Sequence, residues 1–210
     1  CAGCPHRGAF YAVKKALGRR REAVMCGDIG CYTLGNAAPL NAVDTCLDMG
    51  AGITMAQGFN VIEPDKKAIA FVGDSTFFAS GMTGVANAVY NKHDITIVVL
   101  DNATTAMTGS QPHPGTGATL MGGFSAPISI QEVLSALGVK KITKANPLFA
   151  DKAIEAAREA IDYDGPSAVI YESPCTQLTK AQPPVYFIAN ACAGCRKCVT
   201  TIGSPALGWS

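Results

Sequence analysis

The fold of this chain is indicated by the run Ala68-Ile69-Ala70-Phe71-Val72-Gly73-Asp74-Ser75 and by a similar run downstream, Ile95 to Asn102. Each is a short apolar run that ends abruptly in polar residues. Such runs are typical of strands that are buried on both faces of a parallel sheet. The Ala- and Gly-rich segment between them, Gly81 to Tyr90, predicts a connecting helix.

Strand and helix patterns alternate along the rest of the chain. Further strands are predicted over 23–26, 139–142 and 168–171, and further helices over 10–17, 50–59, 130–137 and 147–161. This alternation predicts an α/β fold with a parallel sheet between helix layers. We assign residues 1–180 to that domain, and residues 181–210 to a linker at Gln182-Pro183-Pro184 and a short C-terminal segment.

Composition excludes several classes of function. The 210 residues are 48% apolar and carry a formal net charge of +1, so charge indicates no nucleic-acid partner. No apolar run approaches the ~20 residues of a membrane span, and no signal peptide is recognised. Arg19-Arg20-Arg21 is interpreted as a solvated loop. The nine cysteines are clustered and odd in number, which favours metal ligation in a reducing, cytoplasmic compartment over disulfides.

Polar residues follow three of the predicted strands, at Gly27-Asp28, Gly73-Asp74-Ser75 and Asp101-Asn102. Ligands of parallel sheets bind beyond the carboxyl ends of the strands, so the site is predicted there. Asp74 and Asn102 offer oxygen ligands that suit Mg²⁺, and Gly73 with small residues after it lets backbone N–H groups approach an anion. On pattern alone, a surface turn explains the same residues equally well.

The wider context resembles a known family. Gly73-Asp74-Ser75 followed by Asp101-Asn102 is similar to the thiamine-diphosphate fingerprint, with Ser75 and Asp101 replacing a Gly and an Asn. The runs from Asp101 to Pro114 and from Gly27 to Gly35, and the stretch Cys4-Pro5-His6-Arg7, resemble the indolepyruvate type of 2-oxoacid:ferredoxin oxidoreductase.

The resemblance implies a set of site residues. It implies Mg²⁺ bound by Asp74, Asn102 and the Thr104 carbonyl. It also implies thiamine diphosphate held near Gly30, Cys31, Gly73, Ser75, Met107, Thr108 and Gly109.

The resemblance also implies a [4Fe–4S] cluster on four scattered cysteines, which correspond to Cys1, Cys4, Cys31 and Cys175. Thiolates are the ligands that iron–sulfur clusters prefer. Buried structural cysteines or a zinc site remain open alternatives. Cys26 and Cys46 are expected in the core.

The tail spacing Cys192-x-x-Cys195-x-x-Cys198 resembles half of a two-cluster ferredoxin, so these three cysteines are predicted iron–sulfur ligands. The Cys-Pro that follows in ferredoxins corresponds to Ser204-Pro205 here. A three-iron cluster, a four-iron cluster with another ligand, or no stable cluster are all compatible with this tail.

His6 and His113 flank the predicted site loops and are candidates to orient a substrate carboxylate or to protonate an intermediate. A histidine bonded to loop backbone is the equal alternative for each. His93 is expected at the surface. Arg7 is expected either to bind a carboxylate or to form a structural ion pair.

The resemblance implies oxidative decarboxylation of aryl 2-oxoacids to acyl-CoA, with coenzyme A as acceptor and electrons passed to ferredoxin. It further implies a separate pyrimidine-binding domain or subunit and a second, β/γ-type subunit. Two alternatives stay open. One is a non-redox decarboxylase of the sulfopyruvate or phosphonopyruvate type, and the other is a non-catalytic electron-transfer module.

Overall fold

Six strands form one wholly parallel sheet in the computed structural model, which describes residues 1–18, 22–178 and 188–207. In chain order the strands are β1 (Ala23–Gly27), β2 (Thr45–Cys46), β3 (Lys67–Gly73), β4 (Ile95–Asp101), β5 (Lys141–Ala145) and β6 (Ser167–Glu172). Their spatial order is β2-β1-β3-β4-β6-β5. The predicted parallel sheet is confirmed, with β3 and β4 adjacent at its centre.

Helices cover both faces of the sheet, as predicted. They are α1 (Pro5–Leu17), α2 (Ala51–Ile62), α3 (Asp74–Thr76), α4 (Met82–Tyr90), α5 (Ile130–Ala136), α6 (Ala150–Ile161) and, in the tail, α7 (Lys197–Thr200). The helices α1 and α6 pack on the face that carries Val98 and Leu100 of β4. The helices α2, α4 and α5 pack on the face that carries Ile97 and Val99. Because successive side chains of a strand point to opposite faces of the sheet, the apolar residues of β4 contribute to the hydrophobic cores on both faces.

Several element boundaries differ from the predictions. Helix α1 begins at Pro5 rather than residue 10, because a proline is favourable in the first helical turn. Helix α6 begins at Ala150 rather than Pro147. The Asn146 side chain accepts the Leu148 N–H at 2.9 Å, which forms a turn where the helix was expected. The segments 19–21 and 182–184, and the proposed boundary near 180, lie outside the described residues.

The connection after β3 is a π-helical turn. Residues Phe77–Gly81 form it between α3 and α4, and both Phe77 and Phe78 are buried beneath the sheet edge. Such turns often occur at functional sites. Here the turn directly follows α3, the short helix that begins at Asp74. No helix in the described parts of the chain has the length and apolar character needed to cross a membrane.

Candidate functional site

The carboxyl ends of β3 and β4 bring the predicted magnesium ligands together. Gly73 pairs with Leu100 across the two strands, so Asp74 and Asn102 emerge side by side. The Asn102 N–H donates to Asp74 Oδ2 at 3.1 Å, and the Thr104 N–H donates to Asn102 Oδ1 at 3.2 Å. All three residues are at least nine-tenths buried. Three oxygen-bearing groups are therefore fixed at one edge of the sheet by the chain itself.

Negative charge is concentrated at this edge. Burial, followed by the charge of neighbouring Asp74, raises the pKa of Asp101 to about 6. Among the described residues, no lysine or arginine forms an ion pair with Asp74, and His113 is the only side chain within ion-pair distance of its carboxylate. Buried carboxylates without a cationic partner are costly unless a cation compensates them. The donor set is oxygen-only, so it fits a hard divalent cation.

A cleft of about 100 Å³ opens beside these residues. Ten of the predicted site residues line it: His6, Gly30, Cys31, Gly73, Asp74, Ser75, Asn102, Thr104, Met107 and Thr108. Gly109 and His113 are not among its lining residues. The sequence analysis did not single out Ile29, Tyr32, Met49, Thr76, Leu100, Thr105 and Ala106, which also line the cleft.

Tyr32 is the most consequential of the missed residues. Its hydroxyl donates to Asp28 and lies 3.1 Å from Thr76 Oγ1, so it joins the ends of β1 and β3. A Cβ placed on Gly30 or Gly73 would lie 2.3 Å or 2.8 Å from the Tyr32 ring, so both glycines are required for this close approach. These two glycines were the available sequence signal, but they do not identify the ring that approaches them.

Asp28 completes this connection beneath the cleft. It is fully buried and also accepts the Gly50 N–H at 3.0 Å, which ties the start of α2 to the end of β1. Burial raises the pKa of Asp28 to about 6, although the hydrogen bond from Tyr32 opposes that shift. Burial and the charge of Asp28 raise the pKa of Tyr32 well above its usual value, so the phenol stays protonated.

A second cavity, of about 300 Å³, contains the four predicted cluster cysteines. Cys1, Cys4, Cys31 and Cys175 all line it as free thiols. Burial, and next the nearby Cys4 and Cys175, raise the pKa of the Cys31 thiol. Across the three described ranges, no group of three or more His, Cys, Asp or Glu side chains is already gathered closely enough to hold a metal ion.

The cleft and the cysteine cavity share a wall. His6, Cys31, Asn102 and Ala106 line both of them. A group bound in the cysteine cavity would therefore lie directly beside the cleft.

The remaining cysteines separate into three environments. Cys26 is fully buried, as predicted, whereas Cys46 is exposed, so its predicted core position is wrong. The two-residue strand β2 lies at the sheet edge and leaves the Cys46 side chain uncovered. The three tail cysteines are all exposed: Cys192, Cys195 and Cys198.

Arg7 connects the tail to the main domain. Its Nη1 donates to the Ile202 carbonyl at 2.8 Å. This bond is neither the carboxylate contact nor the ion pair that the sequence suggested. Since Arg7 also lines the cysteine cavity, the tail is held on the same side of the molecule as the four thiols.

Each predicted catalytic histidine contacts one of the magnesium candidates. His113 Nε2 lies 3.1 Å from Asp74 Oδ2, within ion-pair distance although the geometry does not meet hydrogen-bond criteria. His6 Nε2 lies 3.4 Å from Asn102 Nδ2. Burial lowers the pKa of His6 to about 4, against the opposing charge of Asp74, so this imidazole is neutral near pH 7.

Relatives with curated names match the whole chain. It is 38% identical over 213 residues to indolepyruvate oxidoreductase subunit IorA of Archaeoglobus fulgidus, covering 99% of this chain and 34% of the relative. It is 39% identical over 230 residues to subunit IorA of Pyrococcus abyssi, covering 100% of this chain and 35% of the relative. The chain thus spans about a third of the length of these relatives.

A more distant relative and a solved structure agree on the fold. 2-Oxoglutarate synthase subunit KorB of Archaeoglobus fulgidus is 29% identical over 197 residues, covering 87% of this chain and 72% of the relative. The structure of 2-oxoglutarate:ferredoxin oxidoreductase from Magnetococcus marinus, with 2-oxoglutarate, coenzyme A and succinyl-CoA bound, superposes with a TM-score of 0.71. At 22% identity, it covers 83% of this chain and 63% of its own.

A family model matches most of the chain. The model described as "Thiamine pyrophosphate enzyme, C-terminal TPP binding domain" matches residues 28–171, which contain the ends of β3 and β4 and the loop after β4. That span is more than half of the chain, and the predicted thiamine-diphosphate-binding fold is confirmed. The chain therefore belongs to the thiamine pyrophosphate enzymes, as their C-terminal TPP-binding domain.

Proposed function

We propose that this chain is the thiamine-diphosphate- and Mg²⁺-binding part of an enzyme that oxidatively decarboxylates aryl 2-oxoacids of the indolepyruvate type. Coenzyme A is the acyl acceptor, and the electrons pass through iron–sulfur clusters to ferredoxin. The observation that carries the proposal is the wall shared by the Asp74–Asn102 cleft and the four-cysteine cavity.

Mg²⁺ is assigned to Asp74, Asn102 and the Thr104 carbonyl. The fit rests on their oxygen donors, their burial and the absence of an Asp74 ion pair with lysine or arginine in the described chain. The cation would compensate the charge shared by Asp74 and Asp101. A divalent cation held by these residues would also attract the diphosphate, so it would fix the anionic end of the cofactor.

Thiamine diphosphate is assigned to the cleft, and when bound it supplies the carbanion nucleophile and the electron sink. Gly30, Gly73, Met107 and Thr108 form walls that would exclude water from it. The Thr105 hydroxyl donates to Ser75 Oγ at 2.7 Å, which ties the loop after β4 to the start of α3. Gly109 directly follows the lining residue Thr108, with φ +115°.

The four-cysteine cavity is assigned to a [4Fe–4S] cluster. Four thiols from three segments of the chain line one space beside the cleft, and binding would require their deprotonation. A zinc site or a set of core cysteines explains this position less well, because neither accounts for a shared wall with the thiamine cleft. The non-redox decarboxylase and the vestigial electron-transfer module each use only one of the two cavities.

The tail is proposed as the route by which electrons leave. Arg7 anchors the Ile202 carbonyl, and Thr200 and Thr201 line a shallow cavity together with Lys14 and Leu40 of the main domain. Cys192, Cys195 and Cys198 would hold the next iron–sulfur centre. Their exposure suits a centre that exchanges electrons with another protein.

The full enzyme needs more than this chain. Activation of the cofactor requires a pyrimidine-binding domain, and the curated relatives are about three times longer than this chain. A second subunit and ferredoxin complete the proposed complex, which we assign to the cytoplasm. We expect the chain alone to bind cofactor and show no substantial turnover.

Iron and acid-labile sulfide per chain, measured after anaerobic purification, test this function. About four of each supports the cluster on the four cavity cysteines, and about seven or eight adds a tail cluster. A folded, iron-free protein contradicts the redox function and favours the non-redox decarboxylase.

A further inference from the structure

His6 and His113 each contact one of the two side chains assigned to Mg²⁺. Each histidine is only 7% exposed, and each contacts a different ligand candidate. The third histidine of the chain, His93, lies at the opposite end of the strands and contacts Asn60 at 3.3 Å. The two buried histidines therefore have a structural relation to the site that His93 lacks.

The hydrogen bonds around His113 determine which of its nitrogens carries the proton. Its Nδ1 accepts the Gly115 N–H at 3.2 Å, so in the neutral ring the proton is on Nε2. That N–H lies on the side of Asp74 Oδ2, 3.1 Å away. The Phe78 ring stacks on the imidazole with an interplanar angle of 27°, which holds the plane of His113.

The bonds around Asn102 determine the state of His6 in the same way. Asn102 Oδ1 accepts the Thr104 N–H, which fixes the amide and directs Nδ2 toward His6 Nε2. An amide nitrogen only donates, so His6 Nε2 is the acceptor and the ring proton is on Nδ1. The Tyr32 ring meets the imidazole edge-on with centroids 6.3 Å apart and limits its rotation.

We propose that His113 and His6 are positioning residues that hold the Asp74 carboxylate and the Asn102 amide in the orientation needed to bind a divalent cation. His113 does so through the contact of its Nε2 with Asp74 Oδ2, and His6 as an acceptor from Asn102 Nδ2. This inference rests on the proposed magnesium site and deepens it. It gives both histidines a role different from the orientation of a substrate carboxylate or protonation of an intermediate, for which the sequence makes them candidates.

Partners of this kind orient metal ligands in many proteins, and their loss typically lowers metal affinity about 10–100-fold. A side chain that replaces either histidine must make a different contact at each position. In His113→Gln it must bring an N–H toward Asp74, and in His6→Gln it must accept from Asn102. The glutamine amide can do either. An apolar residue can do neither.

The test is Mn²⁺ affinity of the full chain with thiamine diphosphate present, measured by electron paramagnetic resonance. We expect His113→Phe and His6→Phe to weaken Mn²⁺ binding 10–100-fold, and His113→Gln and His6→Gln to recover most of it. His93→Gln is the matched control and keeps wild-type affinity. Leucine variants replace the phenylalanine ones if those fail to fold by circular dichroism.

Two results would contradict the inference, and they differ in whether the proposed magnesium site also has to be given up. Wild-type Mn²⁺ affinity in both apolar variants refutes the positioning role while leaving the metal site intact. A wild-type chain that binds thiamine diphosphate but no Mn²⁺, or that binds neither, refutes the inference together with the proposed magnesium site.

Discussion

The thiamine cleft and the cysteine cavity adjoin each other but are organised differently. In the cleft, Asp74, Asn102 and Thr104 are linked by hydrogen bonds within the chain. In the cavity, Cys1 Sγ accepts a weak hydrogen bond from Gln177 Nε2 at 3.7 Å, and the four thiols are not gathered closely around one point. The oxygen ligands proposed for Mg²⁺ are therefore held in place by hydrogen bonds of the chain, whereas the proposed cluster would itself have to draw the cysteines together.

The largest effect is expected in the cysteine cavity, where the proposed cluster would hold the four thiols together. Cys31→Ser removes the cysteine that belongs to the wall of both spaces, and we expect loss of most of the iron that fills the cavity. Iron and sulfide analysis measures this directly. Cys46→Ser is the matched control, because Cys46 is exposed and outside the cavity. Equal iron in both variants would show that Cys31 is not a ligand.

The second prediction concerns the preorganised region. We expect Asp74→Ala to weaken Mg²⁺-dependent binding of thiamine diphosphate by more than about 100-fold, since loss of outer partners alone costs 10–100-fold. Isothermal titration calorimetry checks it. Asp151→Ala is the control, because Asp151 is an exposed carboxylate on α6. Unchanged affinity in Asp74→Ala would mean that the cofactor binds elsewhere.

The third prediction concerns the free-energy cost of burying the Asp28 carboxyl beneath the cleft. Burial raises the pKa of Asp28 from 3.8 to about 6, so the folded state binds its proton more tightly than the unfolded state. Stability from this group is therefore greatest below about pH 4 and is lost as the pH rises through 6. The change amounts to at most about 3 kcal/mol.

The measurement is the free energy of unfolding by urea between pH 4 and 7, for the wild type and for Asp28→Asn, without metal. Subtracting the two profiles removes the parallel contribution of Asp101, whose pKa is also raised. We expect the difference to change steadily across this interval. A flat difference would show that Asp28 is not held in a costly ionised state.

The two regions also differ in how far the sequence could predict them. The runs that became β3 and β4 end in Asp74 and Asn102, and in parallel strands such ends must meet, so the cleft followed from local pattern. Assignment of the cysteines to one cavity needed family resemblance, because Cys1 and Cys175 lie at distant positions in the chain. The exposure of Cys46 depends on a two-residue edge strand that has no recognisable pattern.

Tyr32 shows why part of the cleft was not predictable. It lies in a 3₁₀ helix after β1, and nothing local distinguishes it from a surface tyrosine. Its importance comes from tertiary contacts with Thr76 and Gly73, which are more than forty residues away. Burial of its hydroxyl against Asp28 is a property of the assembled sheet edge, not of the loop sequence.

The smallest predicted effect tests that contact. Tyr32→Phe keeps the ring that packs against Gly30 and Gly73 but leaves buried Asp28 without one hydrogen-bond donor. We expect a loss of about 1–3 kcal/mol in the free energy of unfolding, the cost of an unsatisfied buried acceptor. Urea unfolding measures it, and Tyr90→Phe, at a site 86% exposed, is the control.

Because the cleft is proposed to be preorganised and the cavity is not, the cofactor affinity of Tyr32→Phe should fall with its stability while its iron content stays constant. A fall in both would mean that the shared wall transmits the change, and that the two regions are less independent than their hydrogen bonds indicate.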